Sequence, residues 1–135
     1  MKEEVKQLIL YRMNRANEAI AEAELLFSKD HILTSVNRLY YACFYAVSSI
    51  LLAKGYSSAK HSGIRSLFHQ KIVKAGLVSH SAGKLYNRLF DARQKADYAD
   101  LIKFQTDDVS PWFEEVKSLV KQIEILMVEE FNHLD

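Results

Sequence analysis

The chain is 135 residues long, 49% hydrophobic and 26% charged, with a single Pro and four Gly, enough for one core without a metal or disulfide staple. So few turn breakers exclude a sandwich or barrel of many short strands, and equally a disordered or collagen-like chain. The net charge is +1, yet residues 1–53 balance, residues 54–103 carry ten basic against three acidic side chains, and residues 104–135 carry two against eight.

In chain order, Val5, Ile9, Met13, Ala16, Ile20, Ala23 and Phe27 recur every three or four residues and predict a first helix with one apolar stripe. It ends near Lys29-Asp30-His31. A second helix is expected over 32–54, with Thr34 or Ser35 as cap and Gly55 as stop. From Leu39 to Ala53 it is apolar on nearly every face, which marks the central helix of a bundle or one covered by a partner chain. That stretch is fifteen residues without a charge, short of the ~20 needed to span a bilayer.

After a polar loop over 56–60, Ile64, Leu67, Phe68, Ile72 and Ala75 predict a shorter helix ended by Gly76. Ser79 or Ser81 then caps a further helix. On it Leu85, Leu89, Ala92 and Ala96 form one row, and Tyr86, Phe90, Arg93 and Asp97 the next. The last helix begins at Ser110-Pro111 or one turn earlier at Thr106, and keeps its period to Phe131. The expectation is all-α: an antiparallel up-and-down four-helix bundle with a short additional helix, one domain over 1–135.

Cys43 is the single cysteine, so one chain offers no disulfide and no cysteine cluster. The N-terminus lacks a signal-peptide core, and a cytoplasmic protein is expected. Gly-rich phosphate loops, paired Cys-x-x-Cys and His-Glu-x-x-His are absent, which removes P-loop, dinucleotide-fold and zinc readings.

Four groups of residues carry candidate chemistry. Arg65, Lys71, Lys74, Lys84, Arg88, Arg93 and Lys95 form either a phosphate-binding surface or an ordinary solvated face. Arg93 either holds a phosphate bidentately or pairs with Asp97 four residues on, while Tyr98 offers a ring to stack on a base. Asn37, Arg38, Tyr40 and Tyr41 belong either to the core or to a polar seam, because buried tyrosine hydroxyls need partners. His61, directly after Lys60 at a helix start, is a cap, a surface residue or a ligand; with no second ligand at suitable spacing, no metal or cofactor is expected.

The run Asn37-Arg38-x-Tyr40-Tyr41-Ala42-x-Phe44-Tyr45-Ala46, the turn His61-Ser-Gly, the stretch from Phe68 to Gly76, and Leu85-x-x-Leu-Phe-x-x-Arg93-x-x-Ala96-Asp97-Tyr98 together resemble the HEPN family (higher eukaryotes and prokaryotes nucleotide-binding domain), in particular its small stand-alone prokaryotic members. The resemblance implies a homodimer whose cleft handles RNA or nucleotide. It also implies a minimal nucleotidyltransferase as partner in a two-component, toxin-antitoxin-like system. Many members are metal-independent ribonucleases whose motif is Arg, four to six residues, then His.

Arg93 matches the motif arginine, but the position five residues later is Tyr98. A phenol with a pKa near 10 is a poor general base beside an imidazole near 6.5, so only His61 is left to move protons, if the fold brings it to Arg93. The catalytic candidates are therefore Arg93, Tyr98 and His61, and the binding candidates Asn37, Tyr40, Tyr41, Lys60, Lys95 and Asp97. The expected function is RNA or nucleotide binding with little or no catalysis. The alternatives are an active metal-independent ribonuclease toxin and a non-catalytic dimerisation module.

Overall fold

A computed structural model describes residues 2–98 and 103–133, without the side chains of Asp97, Tyr98 and His133. The expectations placed on Asp97 and Tyr98 therefore lie outside the described residues. All regular structure among those described is helical: α1 (Glu3–Ser28), α2 (Ile32–Ala53), α3 (His61–Leu67) running into a π-helical segment (Phe68–Val73), α4 (His80–Tyr98), α5 (Thr106–Val109) and α6 (Trp112–His133). The protein is an all-α helical bundle.

The α1 stripe behaves as its spacing requires. Ile9, Met13, Ala16, Ile20 and Ala23 are buried, and Ala19 joins them. Helix α2 packs along this stripe, and its Ala42 and Ala46 are also fully buried. With so little side-chain bulk between them, the two helices approach closely. The Ser35 hydroxyl donates to the Ala23 carbonyl at 2.8 Å from one helix to the other. Ser35 is therefore a rivet between helices rather than a cap, and α2 begins without a side-chain cap at His31. Between α1 and α2 the chain turns through Asp30 at φ 63°, a left-handed position that Asp tolerates better than most residues. The His31 N–H closes the turn on the Leu26 carbonyl at 2.9 Å.

Helix α2 packs against α1, α4 and α6, and more lightly against α3, the π segment and α5. Its apolar faces are thus largely covered within one chain, with Tyr41, Phe44 and Tyr45 left half-buried. Gly55 (φ 88°) and Gly76 (φ 78°) stop their helices with left-handed residues, as a backbone without Cβ allows. Ser79 caps α4, its hydroxyl accepting from the Ala82 N–H at 3.2 Å.

Two elements differ from the pattern in the sequence. The third helix does not stay α-helical: from Phe68 it widens to a π-helix, which keeps Phe68 and Ile72 buried and leaves Ala75 exposed. Gly83 on α4 makes room for this, since a Cβ there would meet Val73 and His69 at 3.2–3.3 Å. The last helix takes neither proposed start alone; Thr106–Val109 makes one turn and α6 begins afresh at Trp112, after Pro111.

Candidate functional site

Helices α3 and α4 each bring a polar side chain, His61 and Arg93, against the N-terminal half of α2. His61 opens α3, half-buried. Its ring lies nearly parallel to Phe44, with centroids 4.3 Å apart and planes 13° from coplanar, and meets Tyr41 edge-on at 5.9 Å. Tyr40, fully buried, places its hydroxyl 2.7 Å from His61 Nδ1.

Arg93 arrives from α4. Its Nη1 stands 3.4 Å from the same His61 nitrogen, and its guanidinium lies 5.1 Å from the centre of the Tyr40 ring and 5.7 Å from that of Tyr41. These aromatic faces are a favourable bed for a cation. The fold thus brings together His61, Arg93, Tyr40 and Tyr41, which the sequence had offered as separate candidates.

Asn37 is held at the edge of this group by Arg38. The guanidinium has only donors, so the Asn37 atoms it meets at 2.9 and 3.2 Å must be the carbonyl Oδ1. That leaves the amide NH2 as the outward-acting group. Arg38 is itself steered by Glu22 at 3.7 Å and by the Tyr41 ring at 5.0 Å. Asn37, Thr34, Leu33, Arg93 and Ala96 line a shallow groove of about 200 Å³, in which Asn37 and Arg93 supply N–H donors and Thr34 a hydroxyl.

Titration follows from this packing. Burial lowers the His61 pKa below its ordinary value, and the Arg93 charge lowers it further; the imidazole is neutral at pH 7. The Tyr40 phenol is pushed up to about 12, chiefly by burial. Tyr86 packs beside it with ring centroids 6.0 Å apart. Its hydroxyl is buried and makes no hydrogen bond of regular geometry, yet it lies close enough to the Tyr40 hydroxyl for each phenol to shift the titration of the other.

The remaining candidates fall elsewhere. Lys60 precedes α3 as an exposed residue whose backbone N–H donates to the Ser58 hydroxyl at 3.2 Å, and Lys95 is exposed on α4. The basic middle of the chain is partly neutralised: Arg65 faces Asp91 at 3.8 Å, Arg88 pairs with Glu115 at 3.0 Å and Lys54 with Glu130 at 2.6 Å. The last two partners come from the acidic α6. Among the described residues no group of three His, Cys, Asp or Glu is placed to hold a metal ion, and no helix is long and apolar enough to cross a membrane. Phe44 joins the site although in the sequence it stands only as one ring of an aromatic run; its spacing four residues after Tyr40 is the signal for it, since i and i+4 share a helix face.

A helical bundle carrying a cation and an imidazole on an aromatic bed is the class of protein these features define. Comparison with known proteins sharpens it. The family model described as the HEPN domain matches residues 9–126, and the chain belongs to the HEPN domain family. It is 40% identical over 124 residues to a UPF0332 protein of Thermotoga maritima, covering 92% of this chain and 94% of that one. A protein of Methanocaldococcus jannaschii that carries the name "putative toxin" is 29% identical over 127 residues, covering 94% and 86%. A UPF0332 protein of Gloeobacter violaceus is 37% identical over 82 residues, covering 61% and 63%.

Proposed function

We infer that residues 1–135 act as one HEPN domain that binds the phosphate of a nucleotide or RNA at Arg93, with His61, Asn37 and Thr34 as neighbouring donors. The observation that carries this reading is the 3.4 Å approach of Arg93 to His61 beside the groove that Arg93 shares with Asn37. Donors predominate there, which suits an anion with several acceptor oxygens, and guanidinium matches phosphate geometry. Tyr40 and Tyr41 set the bed under Arg93. Lys60, Lys95, Asp97 and Tyr98 belong to the same reading through their place in the chain. The likeness to a relative named as a toxin supports a toxin-like role, and a nucleotidyltransferase partner in a two-component system, a homodimer and a cytoplasmic place join this reading through the family resemblance.

Titration with adenosine monophosphate and with a short oligoribonucleotide at low salt tests the site. Wild type is expected to bind both, with oligonucleotide affinity falling as salt rises, by roughly 0.7 log units per log unit of salt for each phosphate neutralised. Arg93→Ala is expected to lose at least about tenfold, the scale of one charge-assisted contact. No binding by folded wild type would sink the reading.

A second reading has one observation in its favour. Metal-free ribonuclease action needs a proton acceptor near Arg93, and His61 is there. Cleavage of RNA in EDTA, abolished by both Arg93→Ala and His61→Ala, would establish it; an intact substrate after long incubation would exclude it.

A further inference from the structure

Two donors converge on one nitrogen of His61. Arg93 Nη1 at 3.4 Å has no acceptor lone pair, so Nδ1 is favoured as the bare nitrogen of a neutral imidazole. The Tyr40 hydroxyl at 2.7 Å must then donate its proton to Nδ1. The ring hydrogen accordingly resides on Nε2, which makes no hydrogen bond to any described residue. We propose that Tyr40 is a positioning residue for the nucleotide site: by donating to Nδ1 it holds His61 in the tautomer that presents Nε2–H, a hydrogen-bond donor for a phosphate ester gripped by Arg93.

This rests on the reading of Arg93 and His61 as a phosphate site and deepens it, because it says which chemistry the imidazole supplies. A nitrogen that carries a proton outward donates to a phosphate oxygen and does not take a proton from a ribose hydroxyl. The acceptor nitrogen is turned inward onto Tyr40. Stacking on Phe44 at 4.3 Å and the edge contact with Tyr41 oppose a ring flip that would carry Nδ1 away from Tyr40 and put the Cδ2 carbon in its place. The depressed basicity of His61, from burial and then the Arg93 charge, keeps the ring uncharged, as a neutral N–H donor requires; a neutral imidazole in such a role is an established device. Tyr40 contributes no contact to the ligand, since it is fully buried.

The test is the tautomer itself. Long-range proton–nitrogen spectra of nitrogen-labelled, ligand-free protein at pH 8 report which ring nitrogen is protonated, and the His61 signal among the five histidines is assigned by its disappearance in His61→Gln. Wild type is expected to show predominantly Nε2–H, and Tyr40→Phe a mixture of the two tautomers. Predominant Nδ1–H in wild type overturns the proposal, whether or not any variant folds, and so does an unchanged tautomer in folded Tyr40→Phe. A second arm uses adenosine monophosphate. The side-chain amide of His61→Gln offers N–H near the position of Nε2 and should keep affinity within about threefold, while His61→Ala should lose about tenfold or more. Equal losses in the two variants count against the donor role. Failure of wild type to bind the nucleotide at all would instead remove the phosphate site, and the spectra of the free protein separate the two failures.

Discussion

The rings of Phe44 and His61 lie face to face, 4.3 Å between centroids and 13° from parallel, so a residue of the central helix α2 sets the plane of the imidazole that opens α3. Phe44 is half-buried and packs against Tyr40, Tyr41 and Tyr45 as well. Phe44→Ala is expected to destabilise the fold by about 2 kcal/mol, below the range of about 3–5 for a fully buried Phe. Denaturant unfolding would show this as a lower midpoint with unchanged slope. Phe44→Leu should recover most of the stability while leaving the imidazole less well held.

Arg93 lowers the basicity of His61, second only to burial. Removing the charge in Arg93→Ala is therefore expected to raise the His61 pKa toward its ordinary 6.5, measurable by following the ring proton with pH. The linkage has a definite sign. Because the folded pKa lies below the unfolded one, the unfolded chain binds more protons in the interval between them, and stability rises with pH across it. Wild type should lose this contribution as pH falls from 6.5 toward the folded value, and the loss should shrink in Arg93→Ala. An equal pH slope in both proteins would contradict the coupling.

Two buried tyrosines one contact apart should answer differently to loss of the hydroxyl. Tyr40 satisfies His61 at 2.7 Å, whereas the Tyr86 hydroxyl is buried without a hydrogen-bond partner among the described residues. An unsatisfied buried hydroxyl costs stability, while removing one member of a bond leaves its partner stranded. Tyr86→Phe is expected to be neutral or stabilising by up to about 1 kcal/mol, and Tyr40→Phe destabilising by about 1–2 kcal/mol. Thermal melts of the two variants should move in different directions or differ clearly in size.

The acidic α6 neutralises part of the basic segment with unequal benefit. Lys54 and Glu130 meet at 2.6 Å with side chains 28% and 24% exposed, whereas Arg88 and Glu115 meet at 3.0 Å with 46% and 47%. Solvent screens the second pair more strongly. Double-mutant cycles are expected to give about 0.5–1 kcal/mol for Lys54–Glu130 and less than about 0.5 for Arg88–Glu115. The first should persist better in high salt.

Gly63 sits two positions after His61, and a Cβ there would run into the Ser58 side chain. Ser58 accepts the Lys60 N–H at 3.2 Å, which fixes the turn into α3. Gly63→Ala is expected to displace Ser58, break that bond and tilt His61, so nucleotide affinity should fall by more than tenfold while the helix content is kept. The double variant Gly63→Ala with Ser58→Gly removes the obstructing side chain but also the acceptor of the Lys60 N–H, and should restore only the part of the affinity lost to the clash. Loss without recovery would mean that Gly63 matters for another reason.

Local readings succeeded where local physics decides. The α1 stripe, the stops at Gly55 and Gly76 and the Ser79 cap depend on residues within a turn of one another, and each stands in the structure as its residue types require. A serine near a helix start has two uses, and only the close approach of α1 makes the Ser35 hydroxyl reach the Ala23 carbonyl rather than cap α2. The π-helical turn is likewise not written in local spacing. Phe68 and Ile72 suit an α-helix equally well, and the widening is accommodated by the missing side chain of Gly83 on another helix.

From its sequence alone, this chain reads as a helical bundle of the HEPN kind with a charge-segregated middle and Arg93 as a candidate phosphate ligand, because periodicity, caps and motif order are written in neighbouring residues. Tertiary structure alone decided that His61 meets Arg93, although they stand 32 residues apart, and that Tyr40 holds the nitrogen between them. The same packing decided that acidic residues of α6 neutralise Lys54 and Arg88. Distances between remote side chains are set by how helices pack, and that depends on the shape of the whole core rather than on any local pattern.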